Sequence, residues 1–139
     1  MTLRLLKFLL ILTVAQSSMA EVPSGQLEFF EKKVRPLLEE HCYKCHSEKS
    51  KKVKGKLLLD SKAGWLKGGD SGEPVIVPGK PAESLLIKMI NHLPDVEEMP
   101  TKYKMKPAEI KVIEDWVKMG ASDPRTKEIA AKFNKKEFN

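Results

Sequence analysis

The chain has 139 residues, enough for one domain, with 25 Lys and Arg against 19 Asp and Glu and a net charge of +6. That balance suits docking onto acidic surfaces, but it is too mild and too evenly mixed with acidic residues to argue for nucleic acid. Aromatic residues make up only 6% of the chain, so side-chain aromatics alone would build a thin core.

The first segment has the composition of a secretory leader. Arg4 and Lys7 precede an apolar run from Phe8 to Val14, and the small residues Ser18 and Ala20 flank Met19. Cleavage is expected after Ala20, giving a leader over 1–20 and an exported, periplasmic or extracytoplasmic protein. The apolar run falls short of the roughly 20 residues that span a bilayer, so no membrane span is expected after cleavage.

Leu27, Phe30 and Val34 then recur at helical spacing. Pro36 disfavours helix at Arg35, which predicts two helical pieces with Pro36 opening the second. The second piece leads to Cys42. Beyond it, Ser47 to Lys56 is a loop with five lysines, Lys49, Lys51, Lys52, Lys54 and Lys56. It reads as a solvated loop or, functionally, as a positive patch that steers an acidic redox partner. Leu57 to Asp60 is a short apolar step, followed by Trp65 and a glycine-rich turn over Lys67 to Gly72. Val75-Ile76-Val77 reads as a short strand or an extended buried segment.

Pro81 to Leu93 reads as a helix with Leu85, Leu86, Met89, Ile90 and Leu93 inward. Asn91 to Met105 is a loop rich in helix breakers. Pro107 opens another helix whose inward face is Ile110, Ile113, Trp116 and Val117, and Gly120 closes it. The domain is expected to run over 21–121. The remainder, 122–139, is a charged tail with a frayed helix, its contacts coming from Ile129, Phe133 and Phe138. No strand alternation is sustained enough to build a sheet.

Cys42-Tyr43-Lys44-Cys45-His46 carries the chemistry. Two thiols three positions apart can reach the vinyl groups of one porphyrin, and the next histidine can bind its iron, so C-x-x-C-H marks c-type haem attachment. A redox dithiol would need a βαβ context that is absent. A structural zinc site would need four ligands, drawing on His41 and His92. A buried haem would supply the apolar surface that the few aromatics do not. For the sixth iron ligand Met99 is preferred, because Pro100 extends its backbone and lets a loop carry the thioether toward the iron. Met105, also in a loop, is its rival, whereas Met89 and Met119 read as core packing.

The chain resembles the planctomycete-type cytochrome c domain. The resemblance rests on Val34-Arg35-Pro36-Leu37-Leu38, Cys42 to His46, Leu57-Leu58-Leu59-Asp60-Ser61, Lys67 to Gly72, Val77-Pro78-Gly79-Lys80-Pro81, Ser84-Leu85-Leu86, Met99-Pro100 and Trp116 to Ala121. It implies an all-α, small cytochrome c-like fold, three to five helices with long loops around one covalently bound haem. It also implies Cys42 and Cys45 as attachment points, His46 as proximal ligand and Met99 as distal ligand. Two features depart from the family pattern: the strongly basic loop after His46, and Thr101 where a second proline is common. The expected function is a soluble electron carrier rather than an enzyme, with a redox partner protein. The alternatives are a haem-based sensor or enzyme with an open distal site, and a haem-containing interaction module.

Overall fold

The computed structural model describes residues 23–125. The expected leader over 1–20 and the tail contacts Ile129, Phe133 and Phe138 lie outside the described residues. Five α-helices form among the described residues: α1 (Ser24–Phe29), α2 (Arg35–His41), α3 (Lys62–Lys67), α4 (Leu85–Ile90) and α5 (Pro107–Lys118). Among the described residues there is no strand, and the fold is all-α as expected.

The first two helices do not separate at Pro36. A π-helical stretch, Phe30–Val34, joins them, and Arg35 keeps helical angles of φ −54° and ψ −47°. The Arg35 N–H donates to Phe30 O, five residues back. Pro36 has no N–H to donate and its ring crowds the carbonyl four residues earlier. Widening the turn just ahead of it relieves that conflict without ending the helix. Phe30 and Val34 thereby share one buried face.

A short helix, α3, forms where only an apolar step and a turn were expected. Its N-cap is Ser61, whose Oγ accepts the Gly64 N–H at 3.0 Å. Gly64 lies so close to the preceding segment that an added Cβ would sit 2.6 Å from Leu58 O.

Val75 and Ile76 are buried in a segment without regular secondary structure, with the Leu86 N–H donating to Val75 O at 3.0 Å. The helix expected over Pro81 to Leu93 is shorter: a 3₁₀ turn, Pro81–Glu83, precedes α4. Ser84 between them is fully buried, its Oγ accepting the Val77 N–H at 2.9 Å and donating to Lys80 O at 3.0 Å. The inward face of α4 is Leu85, Leu86, Ile87 and Ile90. Leu93 lies beyond the helix, past His92 at φ +54°, and is 47% exposed. Met89 is only half-buried.

In α5 all four expected residues, Ile110, Ile113, Trp116 and Val117, are buried. Gly120, at φ +104°, turns the chain away after Lys118. Met119 was expected to pack but is 41% exposed. Three aromatics cluster in the core: the Trp116 ring centroid lies 5.5 Å from Phe30 and 6.4 Å, edge-on, from Trp65.

Residues 122–125 carry no helix and pack onto this cluster; the rest of the expected frayed helix lies outside the described residues. The Trp116 indole N–H donates to Ser122 O at 2.8 Å, and Asp123 is buried. The Arg125 guanidinium lies over the Phe30 ring, 4.9 Å from its centroid, and donates to Tyr43 Oη and Leu59 O. These polar residues close the core, a role that charge-based reading of the tail did not anticipate.

Candidate functional site

The α2 helix delivers the chain to the cysteine motif. The Cys42 N–H donates to Leu38 O at 2.9 Å as the helix ends. Cys42 O then accepts from the Cys45 N–H at 3.1 Å and the His46 N–H at 2.9 Å. Cys42, Cys45 and His46 therefore share one tight turn. Both cysteines are free and partly buried.

His46 Nδ1 lies 3.3 Å from Leu57 O. A carbonyl oxygen only accepts, so Nδ1 carries the proton and the Nε2 lone pair is left for a metal. The backbone around the motif is pinned from the same side: Lys54 N–H donates to Cys45 O at 3.0 Å and Leu59 N–H to His46 O at 2.8 Å. Ser47 and Ser50 hydroxyls both donate to Tyr43 O. The imidazole is thus oriented by main-chain geometry, the arrangement a metal-binding histidine needs.

Burial pushes the Cys42 thiol up to about 12. A disulfide-exchanging dithiol works through a depressed, thiolate-forming cysteine, so this environment argues against redox-dithiol chemistry. The zinc alternative has no support in the geometry. No cluster of three or more candidate metal ligands occurs among the described residues. His41 Nδ1 is 2.9 Å from Tyr103 Oη, and His92 Nδ1 is 3.6 Å from Glu98 Oε2.

The donor set fits a covalently held haem: two thiols for thioether bonds and one oriented imidazole for iron. The structure distinguishes the two methionines named from the sequence. Met105 is 4% exposed and packed within the hydrophobic core. Met99 is half-buried, and its N–H donates to Met89 O at 3.2 Å. Four residues on, Tyr103 bonds to His41, so the loop after Met99 is fastened beside Cys42. That link escaped sequence reasoning, in which His41 figured as a candidate zinc ligand.

The five loop lysines are all exposed, as is Lys44 within the motif. Lys56 pairs with Asp70 at 3.0 Å.

Among the described residues no helix is long and apolar enough to cross a membrane. No curated protein and no solved structure matches the chain. Residues 42–102 match the family model of Planctomycete cytochrome C. The matched span opens on Cys42, contains Cys45, His46 and Met99, and stops short of Met105. Cytochrome c domains bind haem, and the turn that begins this span has the residues to hold it. Residues 42–102 are a planctomycete-type cytochrome c domain.

Proposed function

We propose that the protein is an exported electron carrier holding one haem c through Cys42 and Cys45, with His46 and Met99 as axial iron ligands. One observation carries the reading: the C-x-x-C-H motif folds as a single turn in which His46 Nδ1 is committed to Leu57 O. Bound haem supplies a one-electron iron couple, and His/Met ligation raises its potential and leaves no coordination position open to substrate. The residues of the chain then have three tasks. Cys42 and Cys45 would hold the ring covalently, His46 and Met99 would ligate the iron, and the exposed lysines would guide an acidic redox partner. Such a carrier requires no catalytic acid or base.

The reading is tested on protein made with a cytochrome c maturation system. Acid-acetone extraction is expected to leave the colour on the protein, and the visible spectrum is expected to be low-spin and indifferent to carbon monoxide. Colour lost to the solvent overturns covalent attachment. Ready carbon monoxide binding overturns the carrier in favour of a sensor or enzyme with an open distal site.

A further inference from the structure

His41 is the last residue of α2 and immediately precedes Cys42, yet neither haem attachment nor iron ligation uses it. Its side chain is only 5% exposed. Nδ1 lies 2.9 Å from the Tyr103 hydroxyl, and Nε2 is buried without a hydrogen-bond partner, 3.7 Å from Glu109 Oε2. Such an imidazole is costly to bury unless its orientation does something. Glu109 is itself fixed, its Oε2 accepting the Lys106 N–H at 2.9 Å at the start of α5. The ring therefore joins three parts of the fold: the end of α2, the loop after Met99 and the beginning of α5.

The carboxylate selects the tautomer. With the proton on Nδ1, the bare Nε2 lone pair would face a negative oxygen 3.7 Å away, which is repulsive. With the proton on Nε2, the N–H faces the carboxylate and Nδ1 accepts from the Tyr103 hydroxyl. Tyr103 is then the donor, and its exposed ring, 49% accessible, is held by that bond rather than by burial. Partial desolvation of its hydroxyl, and then the negative charges of Glu40 and Glu109, raise the Tyr103 phenol above its ordinary value, which favours the donating form.

We infer that His41 is a positioning residue for the distal loop, holding Tyr103 so that Met99 stays seated on the iron. The inference rests on the proposed Met99 ligation. Loss of the bond frees the segment that follows Met99, and the loop opens more often. Exogenous imidazole reports that opening, because it enters only when the methionine leaves.

The test compares imidazole binding to the oxidised holoprotein of the parent, Tyr103→Phe, His41→Leu, His41→Asn and the Tyr103→Phe/His41→Leu double variant. Tyr103→Phe removes one exposed oxygen and is expected to leave folding intact while raising imidazole affinity about fivefold to tenfold, the size of a typical net hydrogen bond. His41→Leu is expected to match it and the double variant to add nothing further. His41→Asn, whose amide can take the place of Nδ1, is expected to recover part of the parent's resistance. Parent-like imidazole affinity in Tyr103→Phe overturns the inference, as does full additivity in the double variant. Met99→Ala serves as the separate control on the ligand. If it keeps the near-red sulfur-to-iron absorption, the Met99 reading has failed. If that absorption disappears while Tyr103→Phe binds imidazole like the parent, only the role of His41 has failed.

Discussion

The Trp65 indole N–H donates to Asp123 Oδ2 at 2.9 Å, tying α3 to a residue 58 positions downstream. Asp123 also takes the Arg125 guanidinium, at 2.9 Å from Nε and 2.6 Å from Nη2, and the Arg125 backbone N–H. The carboxylate is thus fully used, and the other two acceptors of the Arg125 guanidinium, Tyr43 Oη and Leu59 O, carry no formal charge to replace it.

Removing that carboxylate leaves a buried guanidinium and an indole N–H unpaired. Asp123→Ala is expected to destabilise the holoprotein by about 3–5 kcal/mol, because breaking a buried pair strands the remaining charge. Urea denaturation measures it. A change within a few tenths of a kcal/mol would show that the 122–125 segment does not hold the core.

The same group gives a pH dependence with a definite sign. Burial alone would raise the Asp123 carboxyl, but the hydrogen bonds and charge of Arg125, helped by Trp65, outweigh it and hold the group below its ordinary value. A depressed acid contributes stability above its unfolded value and loses it as the pH falls through the folded one. Asp123→Asn is therefore expected to be less stable than the parent at neutral pH. The gap should narrow as the pH falls below the ordinary carboxylate range. A constant gap from neutral to strongly acid pH would refute the assignment.

The two methionines should separate by the kind of damage each substitution does. Met99→Ala is expected to abolish the near-red absorption, admit carbon monoxide to the reduced iron and lower the potential. Met105→Ala is expected to leave all three nearly unchanged while costing about 2–5 kcal/mol of stability through a core cavity. Spectra and denaturation on the same two proteins decide the matter. The opposite pattern would make Met105 the ligand.

Charge reversal tests the lysine loop. Lys51, Lys52 and Lys54 are exposed, so changing all three to glutamate is expected to shift the melting temperature little. Reduction by an acidic partner should slow at low salt, and the difference should fade at ionic strengths where the Debye length falls below about 10 Å. Equal rates across the whole salt series would leave the loop as solvated surface and nothing more.

What was legible in the sequence was local. The stripe of Ile110, Ile113, Trp116 and Val117 between Pro107 and Gly120 contains a complete description of α5. The spacing of Cys42, Cys45 and His46 needs no tertiary context to be read. Pro36 misled because its local preference is to end a helix, whereas packing of Phe30 and Val34 keeps the helix going through a wider turn. The α3 helix was missed because its six residues have little periodicity, and its support comes from a cap and a close glycine contact. The closing role of Asp123 and Arg125 was invisible for another reason: their partners Trp65, Tyr43 and Leu59 lie 58, 82 and 66 positions away. Adjacent charges in a sequence suggest a solvated tail until a distant indole and phenol are brought to meet them.

The two main-chain bonds that flank the basic loop, Lys54 N–H to Cys45 O and Leu59 N–H to His46 O, have a consequence for how such a protein can diversify. They use only peptide groups, which most side-chain replacements leave in place. Much of the loop's surface chemistry can therefore be rewritten, in sequence and in charge, while the histidine beside it keeps its aim. Under the proposed carrier role, partner choice and cofactor geometry would be separately inheritable, so a lineage could change the protein it docks with without rebuilding the turn that holds the histidine.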